Sequence, residues 1–296
     1  MYMGEKLMSK IEYFSRNNTL LADSEGLRPL ADSRRINLNW WHIKYDQEEQ
    51  NFGDMLSPIV FDYLCQYYNL DRNKIVHKTK HLYAIGSILF FENQDITVWG
   101  TGSLHDMQCN MDTLLHHRIL RKIDVRAVRG PLTRANLTKL KISCPAVYGD
   151  PAMLMPLIYK PIKARENYVL VLTHHDQRDG IKEKKSDDVI IRNTITSDWK
   201  HMVELIACAK GVVSSSLHGI ILAESYGIPA VFLKTNPGQD IFKYQDYYYG
   251  TLRKSIPTVN TIEEGIGYDF SRCQMPDVNA IQHQLIDTFP KDLWED

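Results

Sequence analysis

Short apolar runs alternate with helix-length segments along the whole chain. In the first half, four such runs follow a compact aromatic segment at residues 37–43, and they cover residues 82–85, 96–99, 125–128 and 146–148. Each run ends in a turn of glycine or charged residues, reading GS, GTGS, RGPLT and GDPAML. Buried strands with polar residues at their carboxyl ends are typical of an open parallel α/β sheet, where ligands bind beyond that edge. The first half is therefore predicted to be one Rossmann-like unit.

A helix is predicted directly after the sequence NFGD. Apolar residues recur there at helical spacing and share one face; they are Leu56, Ile59, Val60, Tyr63, Leu64 and Tyr67. Asp54 is predicted to cap this helix, and Pro58 is tolerated because it falls in the first turn.

The second half repeats this pattern after an interruption. Two prolines and mixed charges at residues 155–167 predict a linker, and apolar runs follow at 168–172, 188–193, 211–216 and 228–233. One helix is predicted to open at Asp198 and another after Ser216. Two such units in tandem predict an α/β protein with two Rossmann-like domains that face each other across a cleft.

The same patterns give the domain boundaries. Residues 1–36 are polar and weakly patterned, residues 37–160 form the first Rossmann-like domain, and residues 161–276 form the second. Beyond Lys234 the chain becomes loop-like and aromatic, including FKYQDYYYG at 242–250. A C-terminal closing helix is predicted within 277–296, because Ile281, Leu285 and Ile286 share one face.

Composition and charge narrow the functional classes. The 296 residues are 44% hydrophobic, enough to bury a core, and a formal net charge of -1 gives no bulk attraction to nucleic acid. The five cysteines are far apart and form no C-x-x-C pair, which suits a reducing cytoplasm. Neither a signal peptide nor a run of roughly 18 apolar residues is present. We therefore expect a cytoplasmic protein that is soluble or at most peripherally attached to a membrane.

Residues 213–233, VSSSLHGIILAESYGIPAVFL, place polar groups between a strand and a helix. The free N–H groups and the positive dipole end of such a helix form an anion site. Hydroxyl and imidazole groups add further donors, so the candidates for binding a small anion are Ser214, Ser215, Ser216, Leu217, His218 and Gly219. The alternative is structural: one serine caps the helix and the histidine is a satisfied internal group.

Arg129 ends a strand and precedes a turn in RGPLT. Its planar fork suits a carboxylate or a phosphate, and its position directs it into the interdomain cleft. The alternative is a surface salt bridge, which we favour for Arg126 and Arg134.

Two further turns are candidates for the acceptor side of the site. In NFGD, Gly53 allows close approach of a ligand, while Asn51 and Asp54 can bind a hydroxylated substrate unless Asp54 is only a cap. In GTGS, Gly102 and Ser103 end a strand, but the third glycine of a dinucleotide fingerprint is missing.

No metal or cofactor is expected. His174, His175 and Asp176 follow a strand, but adjacent strand residues point to opposite faces and no third ligand has suitable spacing. His116 and His117 lie in a helical segment and are expected to be solvated. The motifs G-x-S-x-G, G-x-x-x-x-G-K-[ST] and H-E-x-x-H are absent.

Taken in order, these segments resemble the polysaccharide pyruvyl transferase family. The resemblance runs from about Trp40 over most of the chain and includes NFGDMLSP, IGSIL, WGTGS, VRGPLT, YGDPAML, SSSLHGIILAESYGIPAVFL and FKYQDYYYGT. The core S-x-x-LHG-x-x-x-AE-x-x-GIP is its most specific element.

The resemblance implies a GT-B-like pair of domains and transfer of pyruvate from phosphoenolpyruvate to a sugar as a ketal. Members usually act in exopolysaccharide, capsule or cell-wall synthesis, so the acceptor would be a polysaccharide or its lipid-linked precursor at the inner face of the plasma membrane. The family's donor-binding arginine matches Arg129, and its Leu-His pair matches Leu217 and His218. Many members have arginine where this chain has Ser216, and Lys234, Lys243 or the serine N–H groups would replace that charge.

The chemistry implied by the resemblance needs a general acid, a base for the sugar hydroxyl and positive charge on the phosphate. His218, with an ordinary pKa of about 6.5, can bind phosphate as a cation or pass a proton. The candidate proton acceptors are Asp54, Asp150, Glu224 and Asp246, although Glu224 can equally be a bonded helix residue. The expected catalytic set is His218, Arg129 and Asp54, with Lys243 on the donor side and Asp150 on the acceptor side. The alternatives are a GT-B glycosyltransferase with a nucleotide-sugar donor and a non-catalytic scaffold in polysaccharide assembly.

Overall fold

The computed structural model describes residues 20–23, 26–29, 35–41, 50–78, 80–90, 95–107, 113, 115–119, 121–174 and 183–295. Most of the weakly patterned segment 1–36 lies outside the described residues, as do His175 and Asp176. Two strands of that segment are described, β1 (Leu20–Asp23) and β2 (Gly26–Pro29), and they pair as an antiparallel hairpin.

The first parallel sheet has four strands in the order β3-β4-β5-β6: β3 (Ile36–Asn39), β4 (Lys80–Tyr83), β5 (Ile96–Trp99) and β6 (Ile123–Ala127). Helix α1 (Leu56–Tyr67) connects β3 to β4, and α2 (Pro131–Lys139) follows β6. The strand predicted at 96–99 is confirmed as β5. The strands predicted at 82–85 and 125–128 are observed as β4 and β6, and each begins two residues earlier than predicted. The prediction of a strand at 146–148 is wrong. Tyr148 makes only an isolated bridge to Val128, because the segment between Pro145 and Gly149 is too short to pair as a strand.

The second sheet has six strands in the order β12-β11-β10-β7-β9-β8. They are β7 (Val169–Thr173), β8 (Lys184–Lys185), β9 (Val189–Asn193), β10 (Gly211–Ser214), β11 (Ala230–Leu233) and β12 (Thr258–Val259), all parallel except β8. Helix α4 (Trp199–Cys208) connects β9 to β10, and helix α5 (Leu217–Ser225) connects β10 to β11. The predicted cap is confirmed, because the Asp198 side chain accepts a hydrogen bond from the backbone N–H of His201 at 3.0 Å.

Residues 242–250 form a helix rather than the predicted loop. Helix α6 (Phe242–Gly250) was hidden because its polar and aromatic residues follow no simple amphipathic pattern. Tyr244, Tyr247 and Tyr248 are all fully buried, and Asp246 is buried as well. Packing on several sides therefore stabilises a helix that periodicity alone does not reveal.

The remaining helices are short, except for the last. They are α3 (Met155–Ile158), α7 (Ile262–Ile266), a turn at Leu115–Ile119, 3-10 turns at Pro151–Leu154, Phe270–Arg272 and Lys291–Trp294, and α8 (Val278–Asp287). The predicted linker at 155–167 thus contains α3, with Pro156 in its first turn. None of the helices in the described ranges has the length and apolar character that a bilayer crossing requires.

Helix α8 lies against the first sheet, although the chain reaches it from the second. The indole N–H of Trp99 donates to the carbonyl of Leu285 at 3.0 Å, and the hydroxyl of Tyr68 donates to the carbonyl of Ile286 at 2.8 Å. The ring of Trp294 stacks on Phe61 at 5.8 Å between centroids. A closing helix within 277–296 is confirmed.

One apolar core cluster includes residues of both sheets. It contains Leu82 and Trp99 from the first sheet and Leu170 and Leu172 from the second. The fully buried turn Pro151–Leu154 contributes Met153, which helps to join the two sets. The loops at the carboxyl ends of both sheets are therefore held by continuous packing.

Candidate functional site

A cavity of about 200 Å³ lies where loops following both parallel sheets meet. Arg129 follows β6, His174 follows β7 and Ser216 follows β10, so all three enter the cavity from carboxyl ends of strands. The lining residues are Trp41, Asn51, Asp54, Ser87, Ile88, Leu104 and Arg129 from the first half and His174, Ser216, Leu217, His218 and Lys243 from the second.

The serines after β10 divide into two roles. The Ser214 hydroxyl donates to the carbonyl of Ser216 at 2.8 Å and accepts from its N–H at 3.0 Å, and the Ser215 hydroxyl accepts from the N–H of His174 at 2.9 Å. These bonds fix the turn, and neither side chain lines the cavity. Ser216 is the extended N-cap residue of α5, makes no side-chain capping bond, and lines the cavity with Leu217.

Gly219 serves packing in this structure. A Cβ at this position would lie 2.4 Å from the Ser214 hydroxyl and 3.0 Å from Leu172, so glycine lets α5 rest directly on the sheet. The first backbone N–H groups of α5 have no partner within the helix, as at any helix start, and the dipole there favours an anion. The predicted anion site thus has Ser216 and Leu217 at the cavity, with Ser214, Ser215 and Gly219 behind them.

His218 lies on the cavity wall against the NFGD turn. A Cβ on Gly53 would lie 2.2 Å from its Nδ1, so only glycine leaves room for the imidazole. Its Nε2 lies 4.0 Å from Oδ2 of Asp150. Burial lowers the pKa of His218 to about 3, and the nearby charges of Lys243 and Arg129 act in the same direction. The imidazole is therefore neutral at neutral pH.

Two buried carboxyl groups accompany His218. Burial raises the pKa of Asp54 to about 7, with Asp150 adding to the rise and Lys243 opposing it. Burial also raises the pKa of Asp150 to about 6, against the lowering effects of a hydrogen bond from the Ala152 N–H and of Arg129. Within the described part of the chain, Oδ2 of Asp150 has no hydrogen-bond partner. Both groups can thus exchange protons near neutral pH, as catalytic acids and bases do.

The expected capping role of Asp54 is wrong. The N-cap residue of α1 is Met55, and no side chain caps that helix. Asn51 shapes the turn instead, because its Oδ1 accepts from the N–H of Gly53 at 3.1 Å. The carboxyl group of Asp54 is therefore available to the cavity.

Arg129 forms an ion pair, as the structural alternative predicted, and also lines the cavity. Its Nε donates to Oδ2 of Asp246 at 3.1 Å, its Nη1 to the hydroxyl of Ser87 at 2.7 Å, and its Nη2 to the carbonyl of Ser103 at 2.6 Å. The pair with Asp246 is buried, not on the surface. Since guanidinium has five N–H donors, one on each terminal nitrogen remains for a ligand.

The GTGS turn supports Arg129 rather than lining the cavity. A Cβ on Gly102 would lie 2.4 Å from Cζ of Arg129, so this glycine makes room for the guanidinium. Ser103 supplies the carbonyl acceptor described above, and its backbone N–H donates to the hydroxyl oxygen of Thr133 at 2.9 Å. Of the residues assigned to the acceptor, Asn51 and Asp54 line the cavity, while Gly53, Gly102, Ser103 and Asp150 lie behind it.

Two other candidate proton acceptors, Glu224 and Asp246, form buried ion pairs with arginines. Glu224 is buried and accepts from both terminal nitrogens of Arg253 and from the hydroxyl of Tyr247 at 2.6 Å. Asp246 accepts from Arg129 and from both the N–H and the hydroxyl of Thr133. Neither is part of the cavity lining.

Sequence reasoning did not assign several lining residues to the site. Ser87 and His174 could have been found, because each comes directly after an apolar strand. Trp41, Ile88 and Leu104 carry no chemical signal and become lining residues only through tertiary packing. Lys243 lines the cavity as expected, whereas Lys234 does not.

Comparisons with known proteins show the family of this chain and its fold class. The family model described as polysaccharide pyruvyl transferase matches residues 51–237, which include Asp54, Arg129, Asp150 and His218. An uncharacterized protein of Acanthamoeba polyphaga mimivirus is 28% identical over 218 residues, covering 70% of this chain and 72% of that protein. A crystal structure of a functionally uncharacterized protein from Klebsiella pneumoniae matches with a TM-score of 0.51 at 14% identity, covering 86% of this chain and 98% of that chain, and supports the mixed α/β fold. Because the family model spans more than half of the chain, this protein belongs to the polysaccharide pyruvyl transferase family.

Proposed function

We propose that the protein transfers the pyruvyl group of phosphoenolpyruvate to two hydroxyls of one sugar, forming a ketal and releasing phosphate. The acceptor sugar belongs to a polysaccharide or its lipid-linked precursor. One observation carries the proposal beyond family membership: a single cavity combines Asp54, whose pKa burial raises to about 7, with Arg129, Lys243 and a helix start. A proton donor and an anion site are the two elements that this chemistry requires.

The donor is held by charge and by N–H groups. Phosphoenolpyruvate has a carboxylate and a phosphate, which suit the remaining N–H groups of Arg129, the ammonium of Lys243 and the start of α5. Lys243 supplies the charge that an arginine supplies in many relatives at the position of Ser216. His218 enters neutral and donates one hydrogen bond, and a bound phosphate dianion raises its pKa by attraction.

Proton transfers balance over the two additions. Asp54 in its acid form gives a proton to the methylene carbon, and the first sugar hydroxyl adds to the adjacent carbon and returns a proton to the Asp54 carboxylate. Cleavage of the carbon–oxygen bond releases phosphate, and the second hydroxyl adds in its place. The proton of that second hydroxyl leaves on the phosphate, so no net proton is consumed. Asp150 acts through His218 as a positioning residue, since it lies behind the imidazole and not in the lining.

The same proposal includes a GT-B-like arrangement of the chain. Residues 37–160 would form the acceptor side and residues 161–276 the donor side, with 277–296 closing onto the first. Lining residues from both halves support this division. A cytoplasmic enzyme of this kind would reach lipid-linked acceptors at the inner face of the membrane.

The test incubates the protein with phosphoenolpyruvate and a panel of free, nucleotide-linked and lipid-linked galactosides, mannosides and N-acetylhexosamines. We expect acceptor-dependent phosphate release together with a pyruvyl mass increase on one acceptor. A transferase that uses a nucleotide sugar would instead be stabilised against heat by UDP or GDP and not by phosphoenolpyruvate. A scaffold would respond to neither ligand.

Replacing His218 tests the site itself. His218→Ala should lower kcat by about 100-fold to 1000-fold, the loss typical of one preorganised donor. His201→Ala, at an exposed position of α4, is the matched control and should leave kcat unchanged. Near-normal turnover of the His218 variant would place the donor site elsewhere.

A further inference from the structure

A second cavity, of about 270 Å³, lies on the far side of α6 from the first. Lys243 of α6 lines the first cavity, whereas Gln245 and Tyr249 of the same helix line the second. The opposite wall is the edge of the second sheet, where Phe232 of β11 is paired in register with Thr258 of β12. The two cavities therefore share one helix as a common wall.

The second cavity is cationic and partly apolar. Lys234, directly after β11, and Lys254 contribute two ammonium groups, and Phe232 and Ile256 contribute apolar surface. Neither lysine has an ion-pair or side-chain hydrogen-bond partner among the described residues, and the described lining contains no carboxylate. Two cations without a counter-ion in one concave site favour an anionic ligand.

The two cavities are also close along the sheet. Ser214 of β10 pairs with Phe232 of β11, so the turn that carries Ser216 and the residue Lys234 continue neighbouring strands, which lie about 5 Å apart. The ring of Phe232 packs on Tyr244 at 4.0 Å between centroids, and the Tyr244 hydroxyl donates to the carbonyl of Ser215 at 2.6 Å. These contacts link a lining residue of the second cavity to the turn that lines the first.

We propose that the second cavity binds a phosphate group of the acceptor, the one that links its sugar to a carrier. The inference rests on the proposed function, because it assigns the first cavity to phosphoenolpyruvate and the sugar. Lys234 and Lys254 bind the phosphate oxygens, and the exposed ring of Tyr249 packs against the neighbouring sugar or carrier. The carrier is a nucleotide or a lipid, and both present the same phosphate chemistry.

The test uses the double variant Lys234→Met/Lys254→Met, which keeps most of the length of both side chains and removes both charges. With a phosphate-linked acceptor, its KM for that acceptor should rise roughly tenfold or more, the effect of losing charge-assisted bonds, while the KM for phosphoenolpyruvate stays unchanged. With the same sugar lacking phosphate, KM should not change. Lys185→Met, an exposed lysine of β8 at the opposite edge of the sheet, is the control.

A binding measurement separates this inference from the proposed function. Calorimetric titration with inorganic diphosphate should show a binding event in the unmodified protein that the double variant lacks, whether or not pyruvyl transfer occurs. Nucleotide-linked and lipid-linked acceptors tested side by side identify the carrier. If transfer proceeds and the double variant keeps the KM for every phosphate-linked acceptor, the inference is wrong while the proposed function stands. Diphosphate binding that never affects the acceptor KM would also overturn it.

Discussion

Asp54 is a carboxyl group placed where ionisation is costly. Its pKa rises from the usual 3.8 to about 7, chiefly because it is buried. The folded protein therefore holds a proton that the unfolded chain releases between these values. This contribution to stability is complete below about pH 3.8 and is lost as the pH rises to about 7. A group kept at such a cost is typical of a site that trades stability for chemistry.

The variant Asp54→Asn removes this penalty. We expect its melting temperature to exceed that of the unmodified protein by an amount that grows between pH 5 and pH 8, while pyruvyl transfer is lost. Thermal denaturation across this pH range measures the difference. Asp187→Asn, at an exposed position, should change stability by no more than about 0.5 kcal/mol throughout. A difference for Asp54→Asn that shrinks with rising pH would contradict the assigned pKa.

Single residues that line the cavity could be predicted from the sequence, whereas the residues that pair with them could not. Arg129, Asp54 and His218, which line the cavity, stood out in the sequence because they lie at strand ends or helix starts. The partner of Arg129 is Asp246, which lies 117 positions further along the chain in a helix that periodicity did not reveal. Such a pairing depends on how two distant elements pack, and no local pattern contains it.

At the scale of elements, the NFGD turn joins the two halves of the site. Asn51 forms an isolated antiparallel bridge with Ile195, and the N–H of Phe52 donates to the carbonyl of Thr194 at 3.0 Å. The turn is therefore fixed to the loop that follows β9, while Gly53 makes room for His218. Its backbone positions the imidazole from the opposite side of the cavity.

Gly53→Ala should disturb catalysis more than folding. The added methyl group would overlap the imidazole, so we expect a kcat at least tenfold lower, in line with a misplaced catalytic group, and a stability loss of about 1–3 kcal/mol. Gly238→Ala is the matched control, since its added Cβ would have its nearest neighbour at 3.6 Å. Steady-state kinetics and urea denaturation of both variants make the comparison. Unchanged kcat in Gly53→Ala would show that the ring position is not important.

The elements themselves were predictable where burial imposed a simple period. Strands β7 and β11 are largely apolar runs, and the helix after NFGD keeps one apolar face. The segment 146–148 failed because three apolar residues between Pro145 and Gly149 resemble a strand without room to pair. Helix α6 was missed for a different reason: its buried residues lie around most of the helix and include polar groups, so no single apolar face marks it.

At the scale of the whole molecule, α8 packs against elements that lie much earlier in the chain. The side chain of Leu285 is fully buried and would lie 3.1 Å from a Cβ on Gly149, the residue before Asp150. Its carbonyl is the acceptor for the indole of Trp99. The packing of α8 therefore supports both the first sheet and the turn that carries the carboxyl group of Asp150.

Leu285→Ala should destabilise the protein by about 2–5 kcal/mol, the cost of a cavity at a buried leucine. His283→Ala, on the exposed face of the same helix, should stay within about 0.5 kcal/mol of the unmodified protein. Chemical denaturation with a shared m-value gives both figures. Equal effects of the two substitutions would mean that α8 is not docked as described.

The position of α8 also bears on how the protein is made. Trp99 and Phe61 lie early in the chain. Leu285, whose carbonyl accepts from Trp99, leaves the ribosome 186 residues after it, and Trp294, which stacks on Phe61, emerges later still. During most of synthesis the first sheet therefore presents uncovered aromatic surface, a state prone to aggregation. Until α8 has been synthesised, the nascent chain is therefore a substrate for chaperones.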